Sequence, residues 1–177
     1  YHEAGHAVAT WALTEDRITR TSIIRYSGGP SGGASLGHVA HVPEKERVGA
    51  KASDVARAIC VALASRAAEI EFLGEPHMGS ASDLMGVRYR LLEMAEEGLF
   101  STLGYSTQPS PELVKEMDAY AQRLMAFTRQ VLRQHAAKVH ALVEALMAKE
   151  ELDADEVVAI LGPRPATAQR PETSGGF

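Results

Sequence analysis

The chain opens on Tyr1-His2-Glu3-Ala4-Gly5-His6-Ala7, and apolar residues continue at helical spacing as far as Leu13. Residues four apart lie one above the other on a helix, so His2 and His6 can direct imidazole nitrogens at one ion. Zinc accepts such ligands and lowers the pKa of a bound water to about 7. Glu3 lies beside the two histidines, where its carboxylate can take a proton from that water and pass it to a leaving amine. The motif predicts a zinc-dependent peptidase with Glu3 as the catalytic base.

Small residues surround this motif. Gly5 falls in the middle of the predicted helix, where glycine costs about 1 kcal/mol relative to alanine. With Ala4 and Ala7 it leaves room for a second segment to come close to the helix. A chance pairing of two histidines and a glutamate does not require such residues, so their presence favours a built site.

Composition limits the classes of function. The 177-residue chain has a formal net charge of −5 and no lysine or arginine run stands out, which disfavours a nucleic-acid partner. Its length fits one domain, or one domain with a tail. The single cysteine, Cys60, excludes an internal disulfide and is predicted to be buried in a reducing compartment.

Targeting signals are absent from the sequence as given. No apolar run reaches the roughly 20 residues that span a bilayer, and no signal peptide is visible. We therefore expect a soluble chain in the cytoplasm, or at the cytoplasmic face of a membrane if an anchor lies upstream. Because the chain begins on the residue before the first predicted ligand and lacks an initiator Met, we expect it to be part of a longer protein.

Two segments after the first helix are predicted to be strands. Residues 18–26 and 36–42 are separated by a glycine-rich loop over 27–35, and we expect them to form an exposed β ribbon. An extended peptide could add to the open edge of the second strand through main-chain hydrogen bonds. The predicted substrate edge consists of Gly37, His38, Val39 and Ala40.

The rest of the chain is predicted to be helical. Capping signals indicate helix starts at Ser53, near Asp83, at Ser110-Pro111 and at Asp153, and a bend is expected near residues 134–135. The predicted fold class is mainly α, with a small β ribbon beside the zinc helix. We expect residues 1–161 to form the metallopeptidase domain and residues 162–177, rich in Pro, Thr, Ser and Gly, to form a disordered tail.

The spacing of residues does not identify the third metal ligand. A catalytic zinc typically has three protein ligands and one open position. Asp83, at the start of a helix, and Glu69, near the end of the preceding one, are both candidates, as are several other acids. Spacing alone does not choose between them.

Further short segments follow the opening motif in a fixed order. They are Thr21-Ser22-Ile23-Ile24, Leu36-Gly37-His38-Val39, Ser65-Arg66-Ala67-Ala68-Glu69, Gly79-Ser80-Ala81-Ser82-Asp83-Leu84 and Leu152-Asp153-Ala154-Asp155-Glu156-Val157. As an ordered set they resemble the peptidase domain of the FtsH family of AAA zinc metalloproteases. The resemblance covers nearly all of the chain before Gly162.

The resemblance implies a site and a set of partners. It implies that His2, His6 and Asp83 bind one Zn²⁺ per chain, that Glu3 is the general base, and that Glu69 lies behind the ligands or in packing. It also implies unfolded or membrane proteins as substrates, assembly into hexamers, and an upstream AAA ATPase module. This chain carries no Walker motif, so ATP binding is not encoded in these residues.

A second class of function competes with the enzyme. The chain could be a non-catalytic adaptor or oligomerisation domain that keeps zinc for stability. Structural zinc sites usually have four protein ligands and are rich in cysteine, whereas this motif offers histidines and acids. That difference favours catalysis.

Overall fold

The computed structural model describes residues 1–27, 34–35, 37–43, 49–100, 108–165 and 171. The elements within these residues, in chain order, are α1 (His2–Leu13), β1 (Arg17–Ser22), β2 (Tyr26–Ser27), β3 (Ala34–Ser35), β4 (His38–Val42), α2 (Ala52–Leu73), α3 (Ala81–Glu96), α4 (Pro111–Gln134), α5 (Ala136–Lys149), β5 (Glu151–Asp153) and α6 (Ala154–Leu161). The predicted mainly α fold class is confirmed. Helical residues form most of the hydrophobic core, and the strands β1 and β4 contact one side of α1.

Several helix ends follow local sequence signals. The Ser110 hydroxyl accepts a hydrogen bond from the backbone N–H of Leu113 at the start of α4, and Gly74 ends α2 with a left-handed φ of 87°. The start of α2 differs from the prediction. The helix begins after Lys51 rather than after Ser53, because the carboxylate of Asp54 reaches back to accept a hydrogen bond from the Lys51 N–H at 3.2 Å.

The sheet extends beyond the predicted ribbon. β1 lies in the centre of a three-stranded sheet, with β4 and β5 antiparallel on either side, and β2 pairs with β3 in a separate two-stranded sheet. The sequence did not predict β5, since three residues between two helices are too few to show alternation. Leu36 and residues 28–33 of the predicted ribbon lie outside the described residues. Among the described strands, β4 is an edge strand, as expected.

Helix α1 lies in the middle of the core. Its residues from Ala7 to Leu13 are buried on all sides, and it packs mainly against α2, with α4 and α5 also in contact. The closest approach is at Gly5, where an added Cβ atom would lie 2.4 Å from the carbonyl oxygen of Ala64 and 2.8 Å from the Cβ of Ala68. Small residues therefore let the two helix backbones meet, as the motif suggested.

Two further expectations concern Cys60 and the end of the chain. Cys60 is fully buried, and burial raises the pKa of its thiol to about 11, so it packs as a neutral group.

Arg164 donates hydrogen bonds to the carbonyl oxygens of Thr14 and Asp16, after α1. Residues 166–170 and 172–177 of the predicted tail lie outside the described residues. No helix that the structure describes is long and apolar enough to cross a bilayer.

Substitution of Gly5 by alanine tests the helix contact. We expect G5A to lower the free energy of unfolding by about 1–3 kcal/mol, because the methyl group meets backbone atoms that cannot move independently. Urea denaturation measures the change. The matched control is G86A on α3, where the nearest atom to an added Cβ is the flexible end of Arg90 at 3.1 Å. The control should be neutral or slightly stabilising. A G5A protein as stable as the wild type would contradict the packing described.

Candidate metal centre

Two helices bring three candidate ligands together. His2 and His6 lie one turn apart on α1, and Asp83 lies in the first turn of α3. Asp83 Oδ2 is 3.3 Å from His2 Nε2 and 3.4 Å from His6 Nε2. One ligand atom of each residue lies within 4.8 Å of those of the other two. The structure thus joins residues that are far apart in sequence, in the set that the resemblance implied.

One face of α2 supports this set. The carbonyl oxygen of Val61, the hydroxyl of Ser65 and the carboxylate of Glu69 are spaced four residues apart, so they lie along one side of the helix. Val61 O accepts a hydrogen bond from His6 Nδ1 at 2.8 Å, and Ser65 Oγ donates one to Asp83 Oδ2 at 2.9 Å. His6 and Asp83 therefore each have a hydrogen-bond partner on this face of α2.

Glu69 supplies the third of these contacts. Its Oε1 lies 3.0 Å from His2 Nδ1, and its Oε2 accepts a hydrogen bond from the backbone N–H of His77 at 2.9 Å. Glu69 is buried, whereas the sequence left open whether it was an exposed acid or a ligand. Its position behind the His2 ring agrees with the place that the resemblance implied.

The donor set fits a zinc ion. Because Nδ1 of His2 and Nδ1 of His6 are engaged by α2, each ring can carry its proton there and turn the lone pair of Nε2 toward Asp83. Two imidazoles and one carboxylate form a ligand set of catalytic zinc sites, and a fourth position stays open for water or substrate. We therefore assign His2, His6 and Asp83 as the residues that could hold the metal.

The electrostatics of the protein without metal agree with a site built for a cation. Burial lowers the pKa of His2, but hydrogen bonds to Asp83 and Glu69 outweigh this effect and raise it to about 8. Burial also opposes ionisation of Asp83, yet hydrogen bonds from His2 and His6 hold the pKa of its carboxyl well below the usual range. A metal ion would thus compete with a proton for His2.

Glu3 lies next to these ligands on α1. It is 8% exposed, and burial raises the pKa of its carboxyl above the ordinary value. An added Cβ at Gly37 would be 2.6 Å from Glu3 Oε1, so the carboxylate lies against the backbone just before β4. A buried carboxylate with a raised pKa can accept a proton and return it within one reaction.

A cleft of about 780 Å³ is lined by His2, Glu3, His6, Glu69 and Asp83. Of the four residues predicted as a substrate edge, Gly37, His38 and Val39 line the cleft. Ala40 does not line it. The carbonyl oxygen of Ala40 accepts a hydrogen bond from the Thr19 hydroxyl at 3.1 Å, because the main chain of β4 pairs with β1 on that side.

Sequence reasoning missed Val61 and Ser65. Val61 acts through its carbonyl oxygen, which every residue possesses, so its side chain gave no signal. Ser65 lies one turn before Glu69, and that four-residue spacing was visible in the sequence. The spacing indicates a common helix face, but only contact with α1 and α3 shows what the face touches.

Comparison with known proteins adds independent information. Residues 1–105 match the model of Peptidase family M41. The chain is 28% identical over 189 residues to the ATP-dependent zinc metalloprotease FtsH of Chlorobium luteolum, covering 93% of this chain and 26% of that protein. It is 29% identical to the mitochondrial ATP-dependent zinc metalloprotease FTSH 3 of Oryza sativa, covering 100% of this chain and 24% of that protein.

A further relative is the ATP-dependent zinc metalloprotease YME1L of Drosophila melanogaster, at 29% identity over 91% of this chain and 24% of that protein. The chain spans about a quarter of the length of these curated relatives. The match to the family model covers more than half of the chain and includes all three candidate ligands and Glu3. The chain therefore belongs to Peptidase family M41, and it is an FtsH-type peptidase domain.

Proposed function

We propose that this chain is a zinc-dependent endopeptidase. The observation that carries the proposal is the convergence of His2, His6 and Asp83 on one point, beside a buried Glu3 and within one cleft. A general base and a three-ligand site in an accessible cleft are what hydrolysis of a peptide bond requires. Membership of a peptidase family supports the same conclusion.

Each group has a distinct task in this proposal. A bound zinc supplies Lewis acidity toward the attacking water and the scissile carbonyl group. Glu3 removes a proton from the attacking water while the water oxygen bonds to the carbonyl carbon. Glu3 then donates that proton to the leaving nitrogen as the peptide bond breaks. Glu69 and Ser65 hold His2 and Asp83 in place during the reaction.

The peptide is proposed to bind along β4. This strand is at the edge of the described sheet, and Gly37, His38 and Val39 face the cleft that contains Glu3. A substrate strand added there would gain main-chain hydrogen bonds whatever its side chains are. A segment that pairs with this edge needs free main-chain hydrogen-bonding groups, and unfolded segments offer them, so we propose unfolded polypeptides as substrates.

The longer protein is a separate part of the proposal. The relatives are named ATP-dependent, and this chain spans about a quarter of their length. We propose that the chain is the proteolytic part of such a protein, which would combine it with an ATPase module and assemble it as a hexamer. The reading frame upstream of Tyr1 tests this directly, because an ATPase module would show a Walker motif there.

Replacing Glu3 with glutamine tests the general base. We expect E3Q to reduce the rate of cleavage of unfolded casein by more than about 100-fold, because an amide cannot accept the proton. Zinc content, measured by atomic emission, should stay near one ion per chain. The exposed Glu116 on α4 gives the control E116Q, which should cleave at the wild-type rate. An E3Q protein with undiminished activity would show that the base is another group.

Replacing Asp83 with asparagine tests the third ligand. We expect D83N to weaken zinc binding by more than about 100-fold, because the neutral amide loses the charge that pairs with the ion. Competition with a fluorescent chelator measures the affinity. The same change at the exposed Asp118, D118N, should leave affinity unchanged. Wild-type affinity in D83N would exclude Asp83 as a ligand.

Removal of the metal separates the enzyme from an adaptor that keeps zinc for stability. We expect a chelator to abolish cleavage while the protein stays folded at 25 °C, with a cooperative but lower melting transition, because the core around α1 is formed without metal contacts. Circular dichroism follows folding in the same sample. Unfolding at 25 °C, in a protein that cleaved nothing beforehand, would favour the adaptor.

A further inference from the structure

The cleft extends beyond the candidate metal site along α3. Arg90 lines it seven residues after Asp83, which corresponds to about 10 Å along the helix axis. Arg90 is half-buried in this wall of the cleft. Because each residue of an extended peptide adds about 3.3 Å, a peptide bound at the candidate metal centre covers this distance with about three residues.

Gly86 leaves space for the guanidinium group of Arg90. Arg90 Nη1 donates a hydrogen bond to the carbonyl oxygen of Gly86 at 3.1 Å, one turn earlier on α3. An added Cβ at Gly86 would lie 3.1 Å from this same nitrogen, which is closer than most side-chain contacts allow. Gly86 also lines the cleft. Because Gly86 has no side chain, Arg90 can fold back along α3 and remain part of the cleft lining.

Two acidic side chains that line the cleft, Asp54 and Asp16, have basic partners. Asp54 forms an ion pair with Arg57, and Asp16 Oδ2 lies 3.0 Å from His41 Nδ1. Within the described part of the chain, no carboxylate oxygen lies within 4.0 Å of the Arg90 guanidinium. One of its five N–H donors is used by Gly86, which leaves a permanent positive charge with open donors facing the cleft.

A planar guanidinium with open donors matches a carboxylate, which can accept two parallel hydrogen bonds. We infer that Arg90 is a specificity-determining residue that binds a carboxylate of the peptide substrate. The carboxylate comes either from an aspartate or glutamate side chain a few residues from the scissile bond or from the carboxyl terminus of the peptide. This inference rests on the proposed peptidase function and names a preference within it.

Paired peptides test the inference on the zinc-loaded chain. One series of fluorogenic peptides carries Glu or Gln at each of the three positions on either side of the scissile bond, with both termini capped. A second series has neutral side chains and ends in a free carboxylate or in an amide. We expect the wild type to prefer the carboxylate member of one pair by about three- to tenfold in kcat/KM. The responding series identifies the source of the carboxylate.

Variants at Arg90 show whether the preference depends on it. R90Q should lose the preference for the carboxylate member of the responding pair, and, where the side-chain series responds, R90E should prefer Lys over Glu at that position. The control is R88Q, which removes the same charge from an exposed arginine on α3 that does not line the cleft. R88Q should keep the preference.

The outcomes separate this inference from the proposed function. If the wild type cleaves neutral peptides but shows no carboxylate preference, or if R90Q retains that preference, the role of Arg90 is wrong and the peptidase stands. If the wild type cleaves no peptide of either series, the proposed function fails, and the inference fails with it.

Discussion

The close contact between α1 and α2 is the constraint on which the rest of the structure depends. Gly5 brings the helix backbones so near that its hydrogen atoms face Ala64 and Ala68 directly. At this separation the side of α2 that carries Val61, Ser65 and Glu69 reaches the ligands of the candidate metal centre. A larger residue at the contact would clash with the backbone of α2, so the same small residue permits both the helix packing and the approach of α2 to the candidate ligands.

This arrangement places several carboxylates in a small, partly buried volume. Isolated, each charge would be costly to remove from water. Glu69 and Asp83 offset that cost through hydrogen bonds to His2, His6, Ser65 and the backbone. Glu3 has fewer such contacts, and burial raises its pKa. The environment of Glu69 and Asp83, which form these hydrogen bonds at the candidate metal centre, thus differs from that of Glu3, whose raised pKa suits an acid that exchanges a proton.

The three-stranded sheet joins strands from distant parts of the chain beside the cleft. β5 and α6 come from the end of the described chain, and β5 pairs with β1, whose other edge holds β4. The cleft-lining strand is therefore fixed from behind by residues more than a hundred positions away. α3 also lines the cleft, with Asp83 at the candidate metal centre and Arg90 seven residues later. The edge strand β4 and the helix α3 therefore form two parts of the cleft lining.

The sequence by itself determined the helical class, the capped starts of α4 and α6, and the three candidate groups of the opening motif, because these depend on spacing within one or two turns. Family resemblance, rather than spacing, singled out Asp83. Tertiary structure decided that Asp83 meets the histidines, that Glu69 and Ser65 support them, that Ala40 leaves the cleft, and that β5 exists. Each of these depends on contacts between distant segments, which no local pattern encodes.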